Sequence, residues 1–138
     1  MEVFQYATLE VHLVDAQEIE DSMLLGNNLK IFVMAYTGEG EPPDNSVSFH
    51  ARVRRAIRSG EEVKMFGGDY FVYGLADSQY ENFNAMGVFY DKNVQLLGGN
   101  RIIPEFHSDD DDKPIFDKYH FPWLTQTLPR LFEHYDEL

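Results

Sequence analysis

The stretch HSDDDDKP, residues 107–114, concentrates side chains that could do chemistry. A histidine and four aspartates offer imidazole and carboxylate groups, which serve as metal ligands or in acid–base catalysis. A calcium loop, however, needs oxygen ligands at alternating positions, a glycine at the turn and a distal glutamate, and DDDDKP lacks that spacing. We therefore predict no metal site here and interpret the run as an acidic surface loop.

Other motifs give no stronger signal. The pair Glu105 and His107 is the closest approach to a ligand set, and none of the five histidines lies in an H-E-x-x-H frame. No G-x-S-x-G sequence marks a nucleophile, and the Gly-Gly pairs match neither nucleotide-binding pattern, so we interpret them as turns. The sequence predicts no catalytic residue, no cofactor and no metal ion.

Length and composition indicate how many domains the chain forms and where in the cell it is expected. A chain of 138 residues with 43% hydrophobic residues is long enough to bury a core, and we expect a single domain over residues 1–138. The chain has no cysteine, which favours a reducing cytoplasm. The N-terminus does not resemble a secretory signal, and the longest apolar stretch, residues 31–36, is far shorter than the ~20 residues of a membrane span.

Several runs predict β-strands. Leu9, Val11 and Leu13 alternate with polar residues, which indicates a half-buried strand from about Val3 to Val14. LKIFVMAY is apolar on both faces and predicts a central strand, while GEGEPPDN after it is a connection. The runs EVKMF, DYFVYGLA and NAMGVFY also predict strands, with residues 91–93 as a hairpin connection after GVFY.

Residues 46–58 fit both the two-residue period of a strand and the 3.6-residue period of a helix. Period 2 places Val47, Phe49 and Val53 on one face, whereas period 3.6 joins Phe49, Val53 and Ile57 in one stripe with Gly60 just past its end. The strand is slightly favoured for residues 46–54.

The C-terminal residues predict an amphipathic helix, with a break or kink at Pro129. We therefore expect an α+β fold in which an antiparallel β-sheet of about five to seven strands is packed by this helix. The apolar stripe of the helix consists of Trp123, Leu124, Leu128, Leu131, Phe132 and Tyr135.

The charge distribution is the most unusual property of the chain. The net charge is −13, yet residues 46–68 carry a net +3, so they form a basic island in an acidic molecule. That island either neutralises neighbouring acidic elements or binds a partner. Direct binding of nucleic acid is not expected, because five basic residues in acidic surroundings are a poor footprint for phosphate.

In size and charge the chain resembles small acidic neutralising proteins, namely toxin-immunity proteins and phage-encoded inhibitors that mimic nucleic acid. The resemblance implies a non-catalytic protein that binds and blocks a basic partner, a toxin or a nucleic-acid-binding enzyme. The alternatives are an assembly subunit of a viral or secretion apparatus, with homo-oligomers possible, and a small-ligand-binding protein or enzyme with an unrecognised site. The residues predicted to contact the partner are Glu105, Asp109, Asp110, Asp111, Asp112 and Asp117, with Glu18, Glu20 and Asp21 as a second group.

Overall fold

Two successive β–α–β units form the centre of the computed structural model, which describes residues 1–6, 9–60 and 63–136. The first unit runs from strand β3 through helix α2 to strand β4, and the second continues through helix α3 to a short interrupted strand, β5 and β6. Their bounds are Lys30–Ala35 for β3, Val47–Arg58 for α2, Asp69–Ala76 for β4, Ala85–Leu96 for α3, Asn100–Arg101 for β5 and Phe106–Asp109 for β6.

All strand pairs in this sheet are parallel. β4 lies between β3 on one side and the interrupted strand on the other, with Lys30 paired to Tyr70 and Tyr73 paired to Phe106. The predicted antiparallel sheet packed by one C-terminal helix is therefore wrong. Parallel strands need crossovers of a dozen or more residues, and here each crossover contains a helix that the sequence patterns had hidden.

Helix α2 replaces the strand predicted over residues 46–54. Phe49 and Val53 are both buried, and Ile57 is half-buried one turn later, so burial follows the helical period. A strand would have buried Val47, which is half exposed. Gly60, just past the end, has a φ of 65°, the left-handed conformation that commonly ends helices.

Helix α3 likewise replaces the strand predicted at NAMGVFY and the hairpin predicted at residues 91–93. Its buried residues Met86, Tyr90 and Val94 are spaced four apart, which is the spacing of one helix face. A short apolar run of this kind fits either period, so only its packing against the sheet decides.

The two faces of the sheet are covered differently. Helices α2 and α3 pack on one face, where their apolar stripes form a single cluster with Phe32 of β3 and Val72 of β4. The other face carries Phe71 and Tyr73, both buried, and Trp123 packs against the two rings. Parallel sheets bury both faces in this way, which explains the nearly continuous apolar sequence of β4.

The N-terminal part forms smaller elements. β1 (Glu2–Tyr6) and β2 (Leu9–Leu13) pair as an antiparallel hairpin, so the long strand predicted from Val3 to Val14 is divided, with residues 7–8 outside the described range. The short helix α1 (Asp21–Leu25) precedes β3. No strand forms over residues 63–66, where EVKMF predicted one; its first residue, Glu62, lies outside the described part.

The C-terminal part is helical, as predicted. Residues 115–136 begin with wide π-type turns at Phe116–His120 and Trp123–Thr127 and end in α4 (Leu128–Asp136). The predicted stripe positions Phe132 and Tyr135 have side chains outside the described part of the structure. Over the described ranges, no helix combines the length and the apolar character that a membrane span requires.

Candidate functional site

Three loops meet at the carboxyl edge of the sheet, the edge at which the parallel strands end. They are residues 36–46 after β3, residues 77–84 after β4 and residues 110–114 after β6. We refer to this region as the carboxyl edge. In open parallel sheets, ligands bind in the crevice outside the carboxyl ends of the strands.

Two tyrosines link the first two loops. The hydroxyl of Tyr36 donates to the carbonyl of Asp77 at 2.9 Å and accepts from the N–H of Asp77 at 3.2 Å. The ring of Tyr36 packs edge-on against the ring of Tyr80, with centroids 6.0 Å apart. Tyr80 remains 53% exposed. It therefore presents a fixed aromatic surface, which can stack on a planar conjugated ligand.

The first loop is also joined to the start of α3. The side chain of Asn82 donates to the carbonyl of Glu39, and a Cβ at Gly40 would lie 3.0 Å from the Cβ atoms of Asn82 and Ala85. Gly40 has a φ of 100°, which side-chain-bearing residues rarely adopt. This glycine lets the loop approach α3 closely.

Side chains of the aspartate run accept hydrogen bonds from the second loop instead of projecting freely into solvent. Asp109 accepts from the N–H of Ser78 at 2.8 Å and from the N–H of Asp111 at 3.1 Å. These bonds to the ionised carboxylate, with that from Ser78 the strongest, lower the pKa of Asp109. Asp111 accepts from the side chain of Gln79 at 2.7 Å.

Asp112 fixes the start of the C-terminal helical segment. Its carboxylate accepts from Lys118 at 2.5 Å and from the hydroxyl of Tyr119 at 2.7 Å. The bond from Lys118, followed by that from Tyr119, lowers the pKa of Asp112, and the same carboxylate raises the pKa of Tyr119 to about 12. The aspartate run therefore stabilises two parts of the structure, the loop after β4 and the start of the C-terminal helical segment.

Glu105 and His107, the pair that came closest to a ligand set in the sequence, belong to a further hydrogen-bond network. One carboxylate oxygen of Glu105 accepts from the side-chain amide of Asn84 at 2.6 Å, and the other lies 3.1 Å from Nδ1 of His107. His107 packs edge-on against Phe83. This network ties the end of the second loop to strand β6.

The second group of predicted contact residues lies elsewhere. Glu18 binds the N-terminal ammonium of Met1 at 3.2 Å, and Asp21 binds Arg52 of α2 at 2.7 Å. Glu20, of the second group, and Asp117, of the first, are exposed. None of the bonds described joins the second group to the aspartate run.

Arg52 also shows one role of the basic island. Besides Asp21, it donates to the carbonyl of Ile19 at 2.8 Å, which anchors α2 to the segment before α1. Over residues 1–6, 9–60 and 63–136, no group of three or more His, Asp or Glu side chains could hold a metal ion.

The loops of this candidate site were missed at the level of sequence. GEGEPPDN was interpreted only as a connection, and no role was predicted for Tyr80. The available signal was the alternation of strand and helix, since it would have placed both loops after parallel strands and hence at one edge. The misassigned helices α2 and α3 concealed that alternation.

Comparison with known proteins gives the family. The family model described as flavodoxin matches residues 2–121. Curated relatives include NADPH–cytochrome P450 reductases from Salmo trutta (33% identical over 121 residues), Sus scrofa (34% over 121) and Homo sapiens (33% over 126). The matches cover 88%, 88% and 91% of this chain but only 19%, 17% and 17% of the relatives. The chain therefore spans less than a fifth of their length.

One similar solved structure is oxidised flavodoxin 1 from Bacillus cereus. The two structures superpose with a TM-score of 0.45 at 19% sequence identity, over 67% of this chain and 62% of that one.

The family match corrects the predicted function and partner. An acidic inhibitor of a toxin or nucleic-acid-binding enzyme was inferred from small size, net charge, the segregation of that charge and the lack of an active-site motif. The assembly-subunit alternative rested on size, charge and aromatic content. The sequence match is specific where the charge resemblance was not, so the inhibitor, immunity-protein and nucleic-acid-mimic interpretations were wrong. With a family model that spans residues 2–121, this chain belongs to the flavodoxin family.

Proposed function

We propose that this chain binds a flavin at the carboxyl edge and serves as an electron-transfer module. The observation that carries the proposal is the exposed ring of Tyr80 at an edge where three loops meet, in a member of the flavodoxin family. The ring packs against Tyr36 of the first loop and lies next to Gln79, which bonds Asp111 of the third. A bound flavin would supply the electron transfer, which ordinary side chains cannot provide.

The residues at the carboxyl edge suit the ring of a flavin. Tyr80 offers an aromatic face for stacking. Gly38, which is exposed and has a φ of 49°, carries no side chain to cover the peptide groups beside it, and a Cβ there would meet only Glu41 within 4 Å. Peptide N–H and C=O groups of this kind can bond the polar edge of a planar ligand.

The surrounding residues would hold these groups in place. Tyr36 fixes the start of the second loop through Asp77, and Asp109 fixes the next residue, Ser78. With Asp77 bonded to Tyr36 of the first loop and Ser78 bonded to Asp109 of β6, the segment before Tyr80 is held in place, and the aromatic ring is oriented before a ligand arrives. Preorganisation of this type increases affinity because less freedom is lost on binding.

The role of an electron carrier also bears on partners and catalysis. The curated relatives are named as NADPH–cytochrome P450 reductases, and we propose that this chain exchanges electrons with redox proteins of that kind. It would act as a carrier without catalysing a reaction alone. The cytoplasmic location expected from the absence of cysteine stays a prediction.

The proposal is tested by adding the protein to riboflavin and following the flavin fluorescence. Stacking on Tyr80 should quench the emission, and Tyr80→Ala should weaken binding about tenfold, since one aromatic stacking partner contributes roughly 1–3 kcal/mol. Phe4→Ala is the matched control, because Phe4 is a similarly exposed aromatic residue on the hairpin. Absence of binding by the wild-type chain, or equal losses in both variants, would disprove a flavin site at Tyr80.

A further inference from the structure

We propose that the carboxyl edge recognises the flavin ring and not its phosphate, so that this chain binds uncharged riboflavin more tightly than flavin mononucleotide. The inference rests on the proposed function and specifies the ligand. A phosphate monoester carries close to two negative charges at neutral pH, so its binding needs cations or free N–H groups.

The first evidence is the position of the Lys and Arg residues relative to the two edges of the sheet. All eleven Lys and Arg residues of the chain lie in the part that the structure describes. In a β–α–β unit the helix runs back along the sheet towards the amino edge, the edge at which the parallel strands begin. Arg55 and Arg58, in the last turn of α2, therefore lie towards that edge. Lys30 begins β3 and Arg101 pairs with the second residue of β4, which places both at that same edge.

The cations nearest the carboxyl edge are already engaged. Lys113 lies 3.9 Å from Asp110, and Lys118 lies 2.5 Å from Asp112. Lys30 is further occupied at its own edge, where its amine donates to the carbonyls of Gly26, Asn28 and Gly67. Lys113 and Lys118, the two cations that lie in or next to the loop after β6, therefore each already have a carboxylate partner.

The same edge is rich in negative charge. Asp44, Glu39 and Glu41 are exposed in the first loop, and further acids follow in the other two loops. Helix α2 also begins here, and a helix N-terminus attracts anions, but Asp44 stands three residues before its first residue. An incoming phosphate would meet these carboxylates, whereas an uncharged ribityl chain would not. The acids at this edge are Glu39, Glu41, Asp44, Asp77, Glu81, Asp109, Asp110, Asp111 and Asp112.

The test compares riboflavin with flavin mononucleotide on the full chain by fluorescence titration at low and at high salt. We expect riboflavin to bind about fivefold more tightly at low salt, because unscreened like charges oppose the phosphate. Added salt should strengthen the binding of flavin mononucleotide and leave riboflavin unchanged within about twofold, since salt screens exposed charges.

A charge-removal variant makes the comparison specific. Glu39→Gln, Glu41→Gln and Asp44→Asn together should strengthen the binding of flavin mononucleotide about fivefold and leave riboflavin unaffected. The matched control removes three exposed acids elsewhere, by Glu2→Gln, Glu20→Gln and Glu133→Gln, and should change neither affinity by more than about twofold.

The outcomes separate the two proposals. Tighter binding of flavin mononucleotide than of riboflavin at low salt, or an affinity that falls as salt rises, would overturn the ring-only site and leave the flavin-binding function standing. Absence of binding by both ligands would overturn the proposed function and this inference with it. A preference for riboflavin that disappears in the loop variant and persists in the control supports the inference.

Discussion

Asn84 is the residue on which the second loop closes. It is buried, it adopts the left-handed conformation with a φ of 55°, and its amide donates to Glu105. Its side-chain oxygen has no hydrogen-bond partner within the described part of the chain. Two glycines make room for it, since a Cβ on Gly74 or on Gly87 would come within 3.0 Å of that oxygen. The close approach explains why glycine occurs inside a strand and inside a helix here.

Gly87→Ala is therefore predicted to destabilise the protein despite its position in a helix. Alanine normally gains about 1 kcal/mol over glycine in a helix interior. Displacement of Asn84 would instead leave the carboxylate of Glu105 without its amide donor, at a cost of about 1–3 kcal/mol, so the net loss should be about 1 kcal/mol. Urea unfolding measures the difference.

Val88→Ala is the control, because Val88 is the next residue of α3 and is 58% exposed. It should be neutral or slightly stabilising. A stabilised Gly87→Ala protein would show that Asn84 can move without cost.

His50 gives a second prediction at this scale, one that depends on pH. The ring is buried, its Nδ1 lies 2.9 Å from the hydroxyl of Tyr90, and Phe89 and Arg54 lie near it. Burial, followed by the charge of Arg54, lowers the pKa of His50. The folded state then binds fewer protons than the unfolded state, so the stability present above about pH 6.5 is lost as the pH falls through the lowered pKa.

The expected result is a free energy of unfolding that falls between pH 7.5 and pH 5 more steeply in the wild type than in His50→Gln, which cannot take up that proton. Carboxylates titrate equally in both proteins, so the difference isolates His50. Equal slopes would contradict the buried, uncharged state of this imidazole.

At the scale of elements, the ends of the strands matter most. The hydroxyl of Tyr36 joins the end of β3 to the loop after β4, so Tyr36→Phe should lose about 1 kcal/mol of stability and weaken riboflavin binding severalfold. Chemical denaturation and fluorescence titration measure the two effects. For stability, Tyr80→Phe is the control, as Tyr80 is 53% exposed and its hydroxyl can be solvated in both the folded and unfolded states. Equal stability of wild type and Tyr36→Phe would mean that the loop is held without this bond.

The sequence predicted some elements and not others, for a physical reason. β3 and β4 were found because runs such as KIFVMA and DYFVYGLA are long, apolar and rich in strand formers. α2 and α3 were missed because their apolar residues fit period 2 nearly as well as period 3.6 over a short window. Because these helices were predicted as strands, neither the helical crossovers nor the parallel strand order could be inferred from the sequence. The site at the carboxyl edge depends on that order, so it could not be inferred either.

At the scale of the whole molecule, the net charge of −13 misled the functional prediction. Net charge bears on solubility and association and carries no information about the fold. Much of the aspartate run serves local structure, with Asp109 bonded to Ser78 and Asp112 bonded to Lys118 and Tyr119. In the first case the bonded residue lies 31 positions away along the chain, and a count of charges along the sequence does not contain that contact.

The most direct test of a flavin site at the carboxyl edge is to map riboflavin binding by amide chemical shifts on the isotope-labelled chain. We expect the shifts to concentrate in residues 36–46, 77–84 and 110–114, which lie far apart in sequence and share only this edge. Shifts centred instead on the groove lined by Arg52, Arg55 and Lys64, or no shifts at saturating riboflavin, would contradict the proposed site.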